Sequence, residues 1–257
     1  MDIPVYVICV HKAYKKRGSR TVKHWSPHFT DVRRFTAIEP KDFELDDVAS
    51  RRTRAILNGE SERVQESDLH HSTQIACYLS HRALWKECVR LQQPIVIVED
   101  DSRPADCLRR VEQAVQEAPE DAGAVLVQHS FFRFRSRAVA GSIVRKVIKF
   151  NGTGAYLLYP KGAEILLHHS LPVDMHVDFY MYMTAKATST DPEPLTIYAV
   201  PGAGDQSAAD SLLLHTFPLL YVQTERRLVL ACIGGLISLA LLITVIVLAI
   251  QIHRLRS

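Results

Sequence analysis

The chain has 257 residues, 47% hydrophobic and 23% charged, with a formal net charge of +3 and a mean hydropathy of -0.01. These averages exclude a disordered chain, a collagen-like repeat and a polytopic membrane protein, and eleven Gly and twelve Pro are too few for a low-complexity scaffold. They also average over two unlike parts, because residues 228–252 carry no charge and only Gly234, Gly235, Ser238, Thr244 and Gln251 interrupt their apolar run. Without that run the hydrophobic share falls to roughly 44%, an ordinary value for a globular domain.

In chain order, strand-length apolar runs alternate with helical patterns, which predicts one α/β domain whose sheet is built by crossovers. Residues 3–10 read as a first buried strand, followed by a basic segment with Lys12, Lys15, Lys16, Arg17, Arg20 and Lys23. A short strand at 34–38 and a helix at 46–57 precede a polar loop at 58–68. Ser72 is a candidate cap for a long helix over 73–91, with Ile75, Leu79, Leu84 and Cys88 among its apolar positions. A fully apolar strand at 94–98 ends at Glu99-Asp100-Asp101. Then come a helix at 105–117, strands at 124–127, 143–150 and 154–159, helices at 161–168 and 175–187, and a last strand at 196–200. A loop at 202–210 and a connector at 212–227 lead to the uncharged segment.

At a rise of about 1.5 Å per residue that segment extends roughly 37 Å, more than the hydrocarbon core of a bilayer, so it reads as one transmembrane helix. Arg226 and Arg227 before it balance Arg254 and Arg256 after it, so flanking charge gives no orientation. Its position does: only 253–257 follow, and the N-terminus lacks the basic start and long apolar core of a signal peptide. The expectation is a single-pass, tail-anchored protein with its N-terminal domain in the cytosol. The two adjacent glycines do not form a small-residue dimerisation stripe. Cys9, Cys77, Cys88, Cys107 and Cys232 are scattered without paired spacing, which predicts reduced thiols and no structural zinc. Asn151-Gly152-Thr153 fits a glycosylation sequon, but a cytosolic domain leaves it unmodified, and it reads as a turn into a strand.

Ligands of open α/β sheets sit beyond the carboxyl ends of the strands. Three consecutive carboxylates there repel one another unless a cation intervenes, and hard oxygen ligands suit Mg²⁺ or Mn²⁺ with a substrate diphosphate completing the shell. A solvated acidic turn is the plain alternative. In the stretch from Gln74 to Trp85, successive Ser80, His81 and Arg82 point in different directions around a helix, and His81 alone reads as a hydrogen-bonded packing residue.

The ordered blocks QIACYLSHRALW, PIVIVEDD, GTGAYLLYPKGAEILL, LPVDMHVDF and YAVPGAGDQSAADS resemble glycosyltransferase family 25, which includes lipooligosaccharide and procollagen galactosyltransferases. The resemblance spans roughly residues 3–211 and divides the chain into a domain at 1–211, a juxtamembrane connector at 212–227, the transmembrane helix at 228–252 and a tail at 253–257.

The resemblance implies a Rossmann-type sheet of GT-A kind with flanking helices, and transfer of a hexose, typically galactose, from a UDP-sugar with inversion. It implies Mn²⁺ or Mg²⁺ held by Asp101, with Glu99 helping through the metal's waters or the ribose. The acceptor would be a hydroxyl of a glycan or of a protein, and nucleic acid is not among the expected partners. For the general base it offers Asp174, which matches the family's Val-Asp motif, and Asp178 four residues on; Asp174 could equally cap the helix that follows. Arg17 and Arg20 could approach the donor diphosphate, although their basic segment could equally be a solvated face or meet a membrane surface. Gln206 could contact substrate, and His176 reads as neither ligand nor acceptor contact. One departure stands out: the family's first strand usually ends in Ile-Asn-Leu, and Cys9 replaces the Asn. That departure motivates a second reading, a degenerate transferase fold retained as a membrane-tethered binding or scaffold protein.

Overall fold

A computed structural model describes residues 2–10, 15–61, 65, 68–129, 134–187 and 193–201. The chain divides into two compact units, Met1–Ala208 and Ala209–Ser257, and every described residue belongs to the first. Gln206 and the segment 228–252 therefore lie outside the described residues. Among those residues no helix is long and apolar enough to cross a membrane.

The fold is a mixed α/β arrangement around one eight-stranded sheet of order β2-β1-β3-β7-β4-β8-β6-β5. Its strands are β1 (Val5–Cys9), β2 (Val32–Thr36), β3 (Ile95–Glu99), β4 (Ala124–Gln128), β5 (Arg135–Val139), β6 (Ser142–Lys149), β7 (Ala155–Leu158) and β8 (Ile197–Ala199). Strand β1 pairs in parallel with both β2 and β3. Beyond β3 the sheet departs from the expected crossover pattern. Strand β7 lies antiparallel between β3 and β4, β8 runs parallel to β4, and the hairpin of β5 and β6 closes that side antiparallel.

Seven α-helices flank the sheet among the described residues: α1 (Lys15–Trp25), α2 (Leu45–Val48), α3 (Arg51–Leu57), α4 (Ser72–Leu91), α5 (Cys107–Glu117), α6 (Pro160–His168) and α7 (Val177–Lys186). Helix α1 packs on β1 and β2 and α5 on β4 and β6, whereas α4, α6 and α7 pack on one another. The connections β1-α1-β2 and β2-α4-β3 travel in opposite directions along the sheet. Right-handed crossovers then place α1 and α4 on opposite faces.

The central strands are apolar throughout because both faces are covered: Val5, Val7, Ile95 to Val98, Ala124 to Val127 and Ala155 to Leu158 are all fully buried. Trp25, Trp85, Tyr78 and Tyr156 are the largest wholly buried side chains.

Several sequence expectations need correction. The basic segment after β1 is helix α1, whose Gly18 lets it lie against β1: a Cβ there would meet the Cys9 Sγ at 2.7 Å. The helix expected over 46–57 is two pieces, because Ala49 turns extended and bridges Val173. Val173 donates its N–H to Val48 O at 2.7 Å and accepts the Ser50 N–H at 3.0 Å, so a tertiary ladder takes the place of helical bonds. Ser50 then caps α3 by accepting the Thr53 N–H. Helix α4 is capped by His71 and Gln74 rather than by Ser72. Helix α7 starts at Val177, with His176 as N-cap, rather than at residue 175. Strand β5 carries Arg-Ser-Arg-Ala-Val, which lacks an apolar face, and forms only because β6 supplies its ladder.

Close packing fixes the start of α6. A Cβ on Gly162 would stand 2.1 Å from the Gly123 carbonyl oxygen, which also accepts the Tyr159 N–H at 3.0 Å. Gly162→Ala is therefore expected to destabilise the protein by at least about 1–3 kcal/mol, the usual cost of forcing an atom into a filled contact. A denaturant midpoint unchanged from wild type would contradict that packing.

Candidate functional site

The parallel strands β1, β2 and β3 end together at Cys9, Thr36 and Glu99. Just past the last of these stand Asp100 and Asp101. Three elements converge on this acidic end: α1, α4 and the turn into β7. Each of the three carboxylates meets a different environment.

Asp100 is saturated. Arg17 Nε and Nη2 donate to its Oδ1 at 2.8 and 2.5 Å, and the Val10 N–H donates to its Oδ2 at 3.2 Å. Thr21 also donates its hydroxyl to the Asp100 carbonyl at 2.5 Å. The pair is nearly dry, with side-chain exposures of 16% for Arg17 and 2% for Asp100. Burial raises the Asp100 carboxyl, and the Arg17 bonds oppose that rise. This bidentate clamp fastens α1 to the ends of β1 and β3.

Glu99 is held by side chains from the opposite face of the sheet. Thr153 donates its hydroxyl to Oε1 at 2.6 Å, and His81 Nε2 faces the same oxygen at 3.5 Å. Behind it runs a buried chain. Trp85 Nε1 can only donate, and its bond to the Tyr156 hydroxyl is 3.0 Å long. His81 Nδ1 lies 2.9 Å from the same hydroxyl, so the ring bridges Tyr156 and Glu99. Burial pushes the Glu99 carboxyl upward, but His81, Thr153 and Arg17 together bring it below its ordinary value. It is an ionised carboxylate at neutral pH.

Asp101 is left over. Its Oδ1 is buried without a hydrogen-bond partner, and its Oδ2 is 3.9 Å from Arg17 Nη2, an atom already given to Asp100. Burial, then the Glu99 charge, push its carboxyl up to about 8, with Arg17 opposing. An unpartnered buried carboxylate beside an ionised one is the donor set a divalent cation would satisfy. Among the described residues no three His, Cys, Asp or Glu side chains form a metal cage by themselves.

The long helix α4 presents Gln74, Cys77, His81 and Trp85 on one face, at spacings of three and four. Burial pushes the Cys77 thiol well up, and Glu99, Asp178, Asp101 and Asp100 add to the rise in that order, so all four carboxylates stand within electrostatic reach of Cys77. Gln74 Oε1 accepts the His70 and His71 N–H groups at 2.7 and 3.1 Å, and its Nε2 lies 3.4 Å from His176 Nε2. Burial lowers the His176 ring, and the Asp178 charge opposes this. Ser80 and Arg82 diverge as expected: Ser80 accepts the Ile38 N–H, and Arg82 donates to Ser170.

The remaining sequence candidates separate in space. Asp178 accepts the Gly152 N–H at 2.9 Å and the Phe179 N–H at 2.9 Å, tying α7 to the turn whose next residue, Thr153, holds Glu99. Asp174 is exposed in the loop before α7 and is not its cap. Arg17 is not positioned as an independent diphosphate ligand, since Asp100 takes its guanidinium. Arg20 is exposed, with Nε donating to the Lys16 carbonyl at 3.2 Å within its own helix. Cys9 packs under α1 and donates its thiol to Val7 O at 3.4 Å, a structural position. Thr153, Gln74 and Cys77 were missed as site residues. Gln74, Cys77 and His81 at helical spacing along α4 were the signal for the latter two, whereas Thr153 carries no local signal beyond its place at a turn.

Two outcomes test this geometry. Tyr156→Phe removes the hydroxyl that links Trp85 to His81 and leaves both ring nitrogens buried without it, so a loss of about 1–3 kcal/mol is expected; an unchanged melting temperature would refute the chain. Asp101 has a folded-state pKa above its unfolded one, so the folded state binds the extra proton between about pH 4 and 8. Stability of the chelator-treated protein should fall as pH rises through that window, and Asp101→Asn should flatten the fall. A wild-type profile that rises over the same range would contradict the assignment.

The profile of glycosyltransferase family 25 (LPS biosynthesis protein) matches residues 2–181, which include the acidic strand end, the α4 face and the Asp178 turn. No curated protein matches the chain. The match covers well over half of the sequence, and its blocks coincide with the elements that converge on Glu99, Asp100 and Asp101: the chain belongs to glycosyltransferase family 25 and is a glycosyltransferase.

Proposed function

We propose that this glycosyltransferase moves a hexose, with galactose the first candidate, from a UDP-sugar to a hydroxyl of a glycan or protein acceptor, with inversion and with a divalent cation. The observation that carries the reading is the buried, unpartnered Oδ1 of Asp101 at the end of β3, beside the ionised Glu99. Asp101 would hold Mn²⁺ or Mg²⁺ directly, and Glu99 would act through the metal's waters or the donor ribose. The incomplete protein donor set fits a cation that shares its shell with a diphosphate. When bound, such an ion neutralises charge developing on the leaving diphosphate.

The chain's own residues divide the remaining work. Arg17 and Asp100 brace the strand ends, so that Asp101 is presented from a rigid edge. His81 and Thr153 fix the Glu99 carboxylate. Inversion by single displacement needs a base to take the acceptor's proton. Both Asp178 oxygens already accept backbone N–H groups, which suits it to positioning the Gly152–Thr153 turn. Asp174 is exposed, with room for an acceptor hydroxyl, and is the candidate base. The parallel β2-β1-β3 arrangement with α1 behind it and an acidic end is what supports a GT-A type of nucleotide fold. The reading also keeps 228–252 as a single transmembrane anchor with the catalytic domain in the cytosol, supported by the uncharged length of that segment.

The test uses the full chain in detergent with Mn²⁺ and UDP-galactose or UDP-glucose. UDP release should require both metal and donor, and Asp101→Ala should lower it by about a hundredfold or more while the variant still melts cooperatively. UDP release that survives chelation, or that the variant retains, would remove the metal assignment. Protease protection in sealed membranes checks the topology: digestion from the cytosolic side should remove the domain.

A further inference from the structure

A second feature lies along α7, separate from the acidic strand end. Between α7 and β6 runs a groove of about 320 Å³ lined by Arg137, Lys146, Phe150, Tyr182, Lys186 and Ile197, with no acidic side chain among its described lining residues. The two walls meet at one end, where β6 continues through Phe150 to Gly152, whose N–H donates to Asp178 in the first turn of α7. Asp178, Tyr182 and Lys186 follow one another at intervals of four, so they share one face of the helix. Eight residues of helix place the Lys186 level about 12 Å from the Asp178 level. The groove therefore lies along the helix face that carries Tyr182 and Lys186, with Phe150 leading toward the Gly152–Thr153 turn.

Its charge is consistent over a long stretch. Residues 122–163 contain no Asp or Glu, and Arg135, Arg137, Arg145, Lys146 and Lys149 project from the β5-β6 hairpin within it. Among the described residues the carboxylate within ion-pair distance of the groove's cations is Asp121, whose Oδ2 lies 3.7 Å from Lys146 Nζ. Lys186 rests near the Tyr182 ring at 5.9 Å and Lys146 near Tyr198 at 5.9 Å. Cations spaced along a groove floored by aromatic and aliphatic side chains suit a ligand with apolar ring faces and an anionic substituent.

We propose that this groove is the acceptor subsite, and that it takes an oligosaccharide bearing an anionic group. Arg137, Lys146 and Lys186 hold the phosphate or carboxylate, and the hydroxyl to be glycosylated lies at the Asp178 end. The inference rests on the transferase reading above and adds the acceptor's chemical class to it.

The full chain in neutral detergent is titrated calorimetrically at low salt with three probes of equal length: tetragalacturonate, a 6-phosphorylated mannotetraose, and neutral maltotetraose. At least one anionic probe should bind about tenfold or more tighter than the neutral one, and added salt should weaken it. Lys146→Gln with Lys186→Gln should erase about tenfold of that affinity. Arg145→Gln takes the same kind of charge from the hairpin outside the groove and should change affinity less than twofold. Which anionic probe binds better tells phosphate from carboxylate. Equal binding of the anionic and neutral probes, or equal losses from the groove and control variants, would overturn the inference. UDP affinity measured alongside separates the two readings: UDP binding without anionic preference sinks the groove alone, and loss of UDP binding with the groove preference intact sinks the donor site alone.

Discussion

Three consecutive carboxylates at the buried end of a strand impose the constraint on which this structure depends. Left ionised and unpaired they would repel one another and resist burial. The fold treats each differently. Asp100 is neutralised by a bidentate arginine from α1 and a backbone N–H from the end of β1. Glu99 is kept charged by His81, by the Thr153 hydroxyl and by the nearby Arg17 charge. Asp101 keeps one buried oxygen without a hydrogen-bond partner, and burial raises its carboxyl. The same triplet therefore supplies a fastening, a fixed charge and an unsatisfied oxygen.

The elements around the triplet are those needed to make that difference. Helix α1 must approach β1 closely enough for Arg17 to reach Asp100, and Gly18 against Cys9 allows it. Helix α4 must carry polar atoms on a largely buried face. It does so through a chain from Trp85 to Tyr156 to His81, whose Nε2 faces Glu99 at 3.5 Å. Helix α7 is joined to the sheet through Asp178 and Gly152, next to the threonine that holds Glu99. A change at any of these contacts reaches the acidic end within one or two hydrogen bonds. The basic groove along α7 is lined by Phe150, two positions before Gly152 of that junction.

Much of this was legible in the sequence because it depends on local pattern. The apolar runs at β1, β3, β4 and β7 reveal their strands, since burial on both faces leaves no polar alternation. The long α4, the acidic end of β3 and the order of the family blocks were equally readable. Less was visible where the partner is remote. Strand β5 is drawn into the sheet by β6, the helix over 46–57 is broken by Val173, and the start of α7 yields to the Asp178 turn. No local propensity encodes those contacts. The same holds for Arg17, whose partner Asp100 is remote in sequence, and for Cys9, which packs under α1.

The sequence by itself determined the family, the alternation of strands and helices, and the presence of three carboxylates at one strand end, because these are set by side-chain type and order along the chain. Only the tertiary structure decided that the three carboxylates are inequivalent. A residue's charge state and availability depend on burial and on donors brought from distant segments: Arg17 lies 83 positions from Asp100, and Thr153 lies 54 from Glu99. The same holds for the basic groove, whose cations come from a hairpin and a helix that touch only after the sheet has formed.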